Sequence, residues 1–162
     1  MTEVLRELGA AVERREPVAL ATIVDARGAA PAEPGFKLLV YADGRKVGNI
    51  GGGVLEQRVC DEAVHAIAEG RPRLAHYRLV EEGPDAIGVL CGGEVTVFIE
   101  PYLPPTVLLI VGGGHVGQPL AALAHVLGYE VRTVDVNPQR TAESLLDPAT
   151  ITANTYVAII TG

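Results

Sequence analysis

Hydrophobic residues near the start of the chain follow first a helical spacing and then a strand spacing. Val4, Leu8 and Ala11 recur at intervals of three and four among charged residues, which predicts an amphipathic helix that ends before Pro17. The apolar, β-branched run at residues 18–24 follows and is closed by polar residues, so it predicts a strand.

The next segments predict a hairpin, a second helix and two more strands. Asp43-Gly44 stands between two apolar runs, residues 36–41 and 46–50, and this dipeptide is a strong hairpin signal. A helix is predicted over 55–67, where apolar residues recur at helical spacing and stop at Gly70. The predicted strands are residues 74–80 and 95–99.

Prolines at 101, 104 and 105 interrupt the regular patterns and predict a short stiff linker. We therefore expect two domains, residues 1–103 and residues 104–162. In the second, a strand at 107–111, a glycine cluster, a helix and a strand at 130–135 predict a βαβ unit. The residues expected to face inward from its helix are Val116, Leu120, Leu123 and Leu127.

A short helix from Asn137 to about Leu146 and a buried strand over 156–160 complete the pattern. The predicted fold class is α/β: an N-terminal α/β module followed by a Rossmann-like parallel βαβ module. We expect that second module to be truncated, because a doubly wound sheet needs two such halves and only one follows the linker.

Composition narrows the class of protein further. Hydrophobic residues make up 48% of the chain and aromatic residues only 4%, without tryptophan, so the core must be aliphatic, as suits α/β layers. Thirteen basic against twenty acidic residues give a net charge of −7 with no basic cluster, so no nucleic-acid partner is expected. The apolar runs are far shorter than the roughly 20 residues of a membrane span. The charged N-terminus lacks an apolar signal core, so a cytoplasmic protein with no membrane partner is expected.

The glycine cluster at residues 112–117 satisfies G-x-G-x-x-G between a predicted strand and a predicted helix. Gly112 would permit the tight turn, Gly114 would let a pyrophosphate approach the backbone, and Gly117 would let the helix pack closely on the strand. Asp135 follows at the end of the next strand and would accept hydrogen bonds from ribose hydroxyls. The pattern predicts a nucleotide-binding geometry, and a glycine turn kept for helix packing is the alternative.

Four other features carry candidate chemistry, each with a plainer structural explanation beside it. The glycines at 51–53 precede a helix and would form an anion-binding nest or a flexible turn, and Glu56 would interact with the ligand or with the helix dipole. His115 would meet a phosphate or face solvent. Cys91 lies in a glycine loop that would expose its thiol, whereas Cys60 lies on a helix and is expected to pack. Two cysteines are too few for a disulfide framework, and no spacing of His, Cys and Asp makes a zinc site.

Taken together, these motifs resemble the xanthine dehydrogenase accessory family, XdhC/CoxI. The resemblance rests on three segments in the same order: residues 50–56, residues 90–93 running on to 99–101, and residues 112–117 followed by 134–135. It covers nearly the whole chain.

The resemblance implies a factor that matures molybdenum hydroxylases. Such a factor would hold the molybdenum cofactor, as molybdopterin or its cytidine dinucleotide form, support its sulfuration with a cysteine desulfurase, and deliver it to the apo-enzyme without turnover of its own. Cys91 would then handle sulfur or molybdenum. With the glycine pattern, the expected cofactor contacts are Gly51, Gly52, Gly53, Glu56, Gly92, Gly93, Gly112, Gly114, His115, Gly117 and Asp135, and no metal ligands are expected.

The sequence departs from the family pattern in two places, and alternatives to the maturation role remain. The loop at residues 28–38 lacks the family's serine and arginine, so an anion clamp is expected to be lost. The family also continues further and has a longer segment after Asp135, which suggests a shortened member that acts only as a partner-bound subunit. The other alternative is a nicotinamide-dependent oxidoreductase. A homo-oligomer is expected, because a short parallel sheet leaves an edge and an apolar face uncovered.

Overall fold

The computed structural model describes residues 2–30, 32–81, 86, 88, 92–134, 151–152 and 154–160. The chain divides into two compact units, Met1–Leu103 and Pro104–Gly162. Both contain helices and strands, which confirms the predicted α/β class. In the part of the chain that the structure describes, no helix has the length and apolar character needed to cross a membrane.

The first unit is an antiparallel sheet with two helices. The helices are α1 (Thr2–Glu13) and α2 (Gly53–Glu69), and the strands are β1 (Val18–Arg27), β2 (Lys37–Tyr41), β3 (Lys46–Asn49), β4 (Arg73–Arg78) and β5 (Glu94–Tyr102). The strand order is β3-β2-β1-β5-β4, and every neighbouring pair is antiparallel.

Local sequence explains where several of these elements stop. The hairpin between β2 and β3 turns at Gly44, which has a φ of 82°, a left-handed conformation that glycine adopts without steric cost. Helix α2 ends at Gly70, whose φ is 66° and whose N–H bonds the carbonyl oxygens of Ala66 and Ile67. This left-handed cap satisfies carbonyls that would otherwise lack partners at the helix end.

The two helices pack against opposite faces of the sheet because β1 alternates two sets of apolar side chains. Ala19, Ala21 and Ile23 are buried in the cluster that contains the apolar face of α2. Val18 and Leu20 are buried in the cluster that contains α1. Burial of one Val or Leu side chain contributes roughly 1.5–3 kcal/mol, so both faces of β1 stabilise the unit.

Two strands are longer than the sequence patterns predicted. Strand β1 continues past Val24 to Arg27, because the pairing with β5 shifts register between Ile23 and Asp25, and such a bulge accommodates one extra residue. Strand β5 continues through Pro101, which pairs with Ala19. The prediction that this proline interrupts regular structure is therefore wrong. Pro101 lies beyond the last β5 residue that pairs with β4, where the strand has a free edge and a missing N–H costs no bond on that side.

The second unit contains a parallel sheet and one described helix. Strand β6 (Val107–Val111) leads into α3 (Gly117–Val126) and then β7 (Glu130–Val134), and β8 (Thr155–Ile159) lies further along the chain. The strand order is β7-β6-β8, and both pairings are parallel. The helix predicted at 137–146 lies outside the described residues.

Two predictions about burial in this unit are wrong. Val116, Leu123 and Leu127 are more than half exposed, and α3 instead buries Gly117 and Ala124. Strand β8 was predicted to be buried, yet two of its side chains, Tyr156 and Ile159, are well exposed. Among the described strands β8 pairs only with β6. It therefore lies at an edge of the described sheet, where few neighbouring side chains bury its own.

Candidate functional site

The glycine loop of the second unit lies where the sheet changes direction. Helix α3 connects β6 to β7 on one side, whereas β8 pairs with the other side of β6. The carboxyl end of β6 is therefore a topological switch point, the place where open α/β sheets bind ligands. The loop at residues 112–117 begins at that end.

Two glycines of this loop are required by packing. Gly112 has a φ of 115°, and a Cβ there would overlap the carbonyl oxygen of Ile160. A Cβ at Gly117 would overlap the carbonyl oxygen of Gly112. These two positions bring β6, β8 and the first turn of α3 into close backbone contact, which agrees with the structural roles expected for a tight turn and close helix packing.

Gly114 differs from its neighbours because no heavy atom lies within 4 Å of the position its Cβ would occupy. His115 beside it is exposed. Helix α3 has no side-chain cap at its first turn. Gln118 and Leu120 donate their N–H groups to the carbonyl oxygens of Gly114 and Val116, so a ligand at this end would be received by the backbone before Gln118. Asp135 follows β7 directly in sequence but lies outside the described residues.

In the first unit, three glycine-bearing segments leave the same end of the antiparallel sheet. Lys37 pairs with both Thr22 and Asn49, and Glu94 pairs with both Arg27 and Arg78. The ends of β1, β3 and β4 therefore lie beside the starts of β2 and β5. The segments that continue from them are residues 28–36, 50–53 and 79–93.

The glycines at 51–53 form an extended left-handed stretch before α2. Their φ values are 118°, 72° and 61°, and no atom lies within 4 Å of a Cβ at Gly52 or Gly53. Conformation rather than crowding therefore requires glycine at these two positions. Gly51 donates its N–H to Asn49 Oδ1 over 2.7 Å, whereas Gly52 caps α2 without a side-chain hydrogen bond. The N–H groups at this helix start can receive an anion.

Glu56 is already bound within the protein. Its Oε1 lies 2.6 Å from Lys46 Nζ, and its side chain is only 12% exposed. The hydrogen bond to Glu56 raises the pKa of Lys46. The sequence did not indicate Lys46 as its partner, because the two residues lie on different elements, β3 and α2.

Gly92 and Gly93 form close backbone contacts with the loop that follows β1. A Cβ at Gly93 would lie 2.7 Å from Ala30 N, and one at Gly28 would lie 2.9 Å from Gly92 O. Gly92 N–H also donates to the Leu79 carbonyl oxygen over 2.8 Å. This packing by itself explains small residues at these positions. Cys91 precedes them but lies outside the described residues.

Cys60 lies on the buried face of α2 and is 6% exposed. Burial raises the pKa of its thiol, which disfavours the thiolate needed for nucleophilic or metal chemistry. This environment suits the packing role predicted for it.

Sequence reasoning missed a groove between α2 and strand β4. The groove has a volume of about 950 Å³, and its lining includes Arg58, Asp61, Glu62, His65, Arg73 and Tyr77. Tyr77 Oη is buried without a hydrogen-bond partner. The helical spacing of the α2 residues was visible in the sequence, but their position beside β4 follows only from the pairing of β4 with β5.

The architecture defines an α/β protein in which an antiparallel module precedes a parallel one, with glycine turns at the ends of both sheets. Residues 11–78 match the XdhC and CoxI family. This match confirms the resemblance indicated by the motifs, and of the three motif segments it contains residues 50–56. The matched segment includes the glycines at 51–53, Glu56 and Cys60.

Two Escherichia coli K12 proteins are similar to the chain. It is 39% identical over 138 residues to the uncharacterized protein YqeB, covering 85% of this chain and 25% of YqeB. It is 32% identical over 94 residues to the molybdenum cofactor insertion chaperone PaoD, covering 57% of this chain and 29% of PaoD. The matched region thus spans a quarter of YqeB and less than a third of PaoD.

A solved structure has a similar fold. A Bacillus halodurans protein, described as a xanthine dehydrogenase, superposes with a TM-score of 0.50 at 18% identity, covering 96% of this chain and 74% of that one. At this identity, the likeness supports the α/β fold alone.

Proposed function

We propose that this chain serves as an accessory factor in the maturation of a molybdenum hydroxylase of the xanthine or CO dehydrogenase type. In this role it binds the molybdenum cofactor, assists its sulfuration and passes it to the apo-enzyme, without turnover of its own. The proposal is supported by the family match over residues 11–78 and by the similarity to PaoD, a molybdenum cofactor insertion chaperone.

The observation that carries the proposal is the glycine turn at residues 51–53. It lies inside the family-matched segment. Gly51 donates its N–H to Asn49, and the N–H groups from Gly52 onward lie at the start of a 17-residue helix without a side-chain cap, with open space above Gly52 and Gly53. The pterin of the cofactor carries a phosphate, and a nest at a helix start fits such a group. When bound, the cofactor supplies the redox-active molybdenum that the client enzyme needs.

The roles of this chain's residues follow from that placement. The backbone at 51–53 would hold the phosphate, and Lys46 would add a positive charge beside it while keeping Glu56 in place. Gly92 and Gly93 would keep the neighbouring loop close to residues 27–30. Cys91, next to them in sequence, is proposed to handle sulfur together with a cysteine desulfurase.

A matched pair of glycine variants tests the anion site. Gly52 and Gly44 both have positive φ, 72° and 82°, and both have open space around a Cβ. Gly52→Ala should cost more stability than Gly44→Ala, because Gly52 combines its positive φ with a ψ of −173°, a backbone region essentially confined to glycine. Cofactor retention is therefore compared per mole of folded protein. Gly44 lies in the hairpin at the opposite end of the sheet, so only Gly52→Ala should reduce cofactor retention.

The measurement is the molybdenum and pterin content of protein purified from a host that makes the cofactor. The parent and Gly44→Ala should retain both, and Gly52→Ala should lose most of its load. If the two variants retained equal amounts, the glycine turn would not be the cofactor site. If the parent carried no pterin, the maturation role itself would lose its support.

The second unit suggests a nucleotide component of the same function. We propose that residues 104–162 form a partial Rossmann-like domain and residues 1–103 the XdhC/CoxI-like domain. The open space around Gly114 at the switch point favours a nucleotide or the dinucleotide half of the cofactor. The same feature keeps a nicotinamide-dependent oxidoreductase as the second candidate. We further propose that the chain self-associates and acts in the cytoplasm. Its client would be an apo molybdenum hydroxylase.

A further inference from the structure

An ion pair joins the strand before the glycine turn at 51–53 to the helix after it. Strand β3 leads into this turn, and α2 follows it. Lys46 Nζ on β3 lies 2.6 Å from Glu56 Oε1, and Glu56 belongs to the first turn of α2. The pair therefore closes the loop that contains the three glycines.

Other contacts also hold this loop in shape. Ile50 is fully buried and packs in the cluster that contains the apolar face of α2. Gly51 donates its N–H to Asn49 Oδ1 over 2.7 Å, and the N–H of Glu56 donates to the Gly52 carbonyl oxygen over 3.4 Å. The backbone of the turn is thus anchored on both sides, so its shape does not depend on the ion pair alone.

The carboxylate of Glu56 is placed where it opposes the binding of an anion. A helix start has positive partial charge and exposed N–H groups, which favour a phosphate. Side chains on a helix lean toward its N-terminus, so the Glu56 carboxylate leans toward the turn. It is only 12% exposed, and water screens such a charge less than an exposed one. Its negative charge therefore repels a phosphate at Gly52 and Gly53 unless a cation neutralises it.

Lys46 supplies the neutralising charge and has the freedom to move. Its side chain is 43% exposed, and a lysine ammonium is a point charge on a flexible four-carbon stem. The hydrogen bond to Glu56 raises the pKa of Lys46, so the ammonium is charged at neutral pH. The charge that neutralises the carboxylate is the same charge that attracts a phosphate. The two acceptors therefore compete for it.

Such competition suits a factor that must bind its cargo and later give it up. A lysine without a carboxylate beside it would hold a phosphate tightly, because hydrogen bonds between charged groups are about twice as strong as neutral ones. With the carboxylate present, part of this attraction is offset by the separation of Lys46 from Glu56. The bound state is weakened, whereas the shape of the turn is kept.

We propose that Glu56 competes with the phosphate of the ligand for Lys46, and that this competition keeps binding at the glycine turn weak enough for release. When a phosphate enters, the ammonium moves from the carboxylate to the phosphate, and when it leaves, the ion pair forms again. Glu56 acts through Lys46, so it is a positioning residue and not a cofactor contact. The inference rests on the function proposed above, in which the turn receives the phosphate of the cofactor.

A double-mutant cycle on the full chain tests the competition, with inorganic phosphate as the probe. Phosphate is titrated at neutral pH and constant ionic strength, and the amide NMR signals of Gly52 and Gly53 report its binding. Glu56→Gln should bind phosphate at least about threefold more tightly than the parent, and Lys46→Met at least about threefold more weakly. The gain from Glu56→Gln should be clearly smaller in the Lys46→Met background.

Two further variants control for net charge and for loss of the side chain. Glu69→Gln makes the same chemical change as Glu56→Gln, and Glu69 also pairs with a cation, Arg73, over 2.8 Å. Glu69 ends α2, about 20 Å along the helix axis from Glu56 at 1.5 Å per residue, so phosphate binding should not change. Lys46→Arg keeps the positive charge and should stay close to the parent.

Three results would overturn the proposal. If both single variants of the pair weaken phosphate binding, the pair only maintains the shape of the turn. If Glu56→Gln improves binding equally with and without Lys46, the carboxylate acts by repulsion and not by competition. If phosphate leaves the signals of Gly52 and Gly53 unchanged in the parent, the turn receives no anion.

The rate of pterin release separates this inference from the maturation role. Purified from a host that makes the cofactor, the parent and Glu56→Gln should both carry pterin, and the variant should lose it more slowly during dialysis. Equal or faster loss from the variant would overturn the competition and leave the maturation role intact. A parent without pterin would count against the maturation role, whereas the phosphate cycle would still decide the competition.

Discussion

Removing the Tyr77 hydroxyl should make the protein more stable, even though the site lies in the core. Tyr77→Phe keeps the ring that packs in the cluster beneath α2 and deletes a side-chain oxygen that is buried without a partner. An unsatisfied buried polar group costs roughly 1–3 kcal/mol. We therefore expect the variant to gain about 1 kcal/mol in free energy of unfolding at pH 7.

The same substitution should change the alkaline pH dependence of stability. Burial raises the pKa of Tyr77 from 10.0 to about 12, so the folded state holds the phenolic proton more tightly than the unfolded state. The unfolded chain releases this proton first, so stability falls as pH rises from 10 to 12. One pKa unit corresponds to about 1.4 kcal/mol, so the parent should lose on the order of 1 kcal/mol through this group at pH 11 and on the order of 3 kcal/mol above pH 12. The phenylalanine variant should lack this contribution.

Urea unfolding followed by circular dichroism at pH 7 and pH 11 measures both effects. The difference between variant and parent should widen from about 1 kcal/mol at pH 7 to about 2 kcal/mol at pH 11. Tyr102→Phe is the control, because Tyr102 Oη donates to Glu100 over 2.8 Å and its loss should not stabilise the protein. A phenylalanine variant that is less stable than the parent at pH 7, or that follows the parent's alkaline profile, would refute the assignment of an unsatisfied buried hydroxyl.

Further predictions concern the loop glycines, the cysteines and nucleotide preference. Gly117→Ala should destabilise the second unit by more than about 2 kcal/mol in thermal melts, because its Cβ would overlap a backbone carbonyl. Gly114→Ala has open space around its Cβ, so it should mainly weaken nucleotide binding, which calorimetric titration measures. Cys91→Ser should fold normally but lose cofactor retention or client activation, and normal function in that variant would return the cysteine to a packing role. Cys60→Ser should instead cost about 1 kcal/mol or more, since it buries a hydroxyl. Asp135 should favour the nicotinamide dinucleotide without a 2′-phosphate, because its carboxylate repels that phosphate; tighter calorimetric binding of the phosphorylated form would contradict the role.

Features set by a few neighbouring residues were predictable from the sequence. The Asp43-Gly44 turn and the cap at Gly70 depend on backbone conformations that glycine adopts at no steric cost, so the hairpin and the end of α2 followed directly. The same holds for the strand, glycine loop and helix around residues 112–117. The family resemblance depended on these same local motifs, and it holds over residues 11–78.

Which residues of a helix face the core could be decided only from the tertiary structure when several sides of the helix are apolar. Helix α3 carries leucines on several sides, so periodicity alone favoured Leu123 and Leu127 as inward residues. Gly117 brings the helix so close to the loop backbone that small residues fit on its inner face, and Ala124, seven residues later, is buried there instead. The larger side chains are therefore displaced outward.

Contacts between residues far apart in sequence were also decided only by the fold. Pro101 is accepted in β5 because β4 begins opposite Ile99 and does not reach it. Lys46 meets Glu56 because β3 lies beside the first turn of α2. The groove with the unsatisfied Tyr77 exists because β4 is the last strand of the sheet. Strand order depends on the free energy of the whole core, which no local pattern encodes.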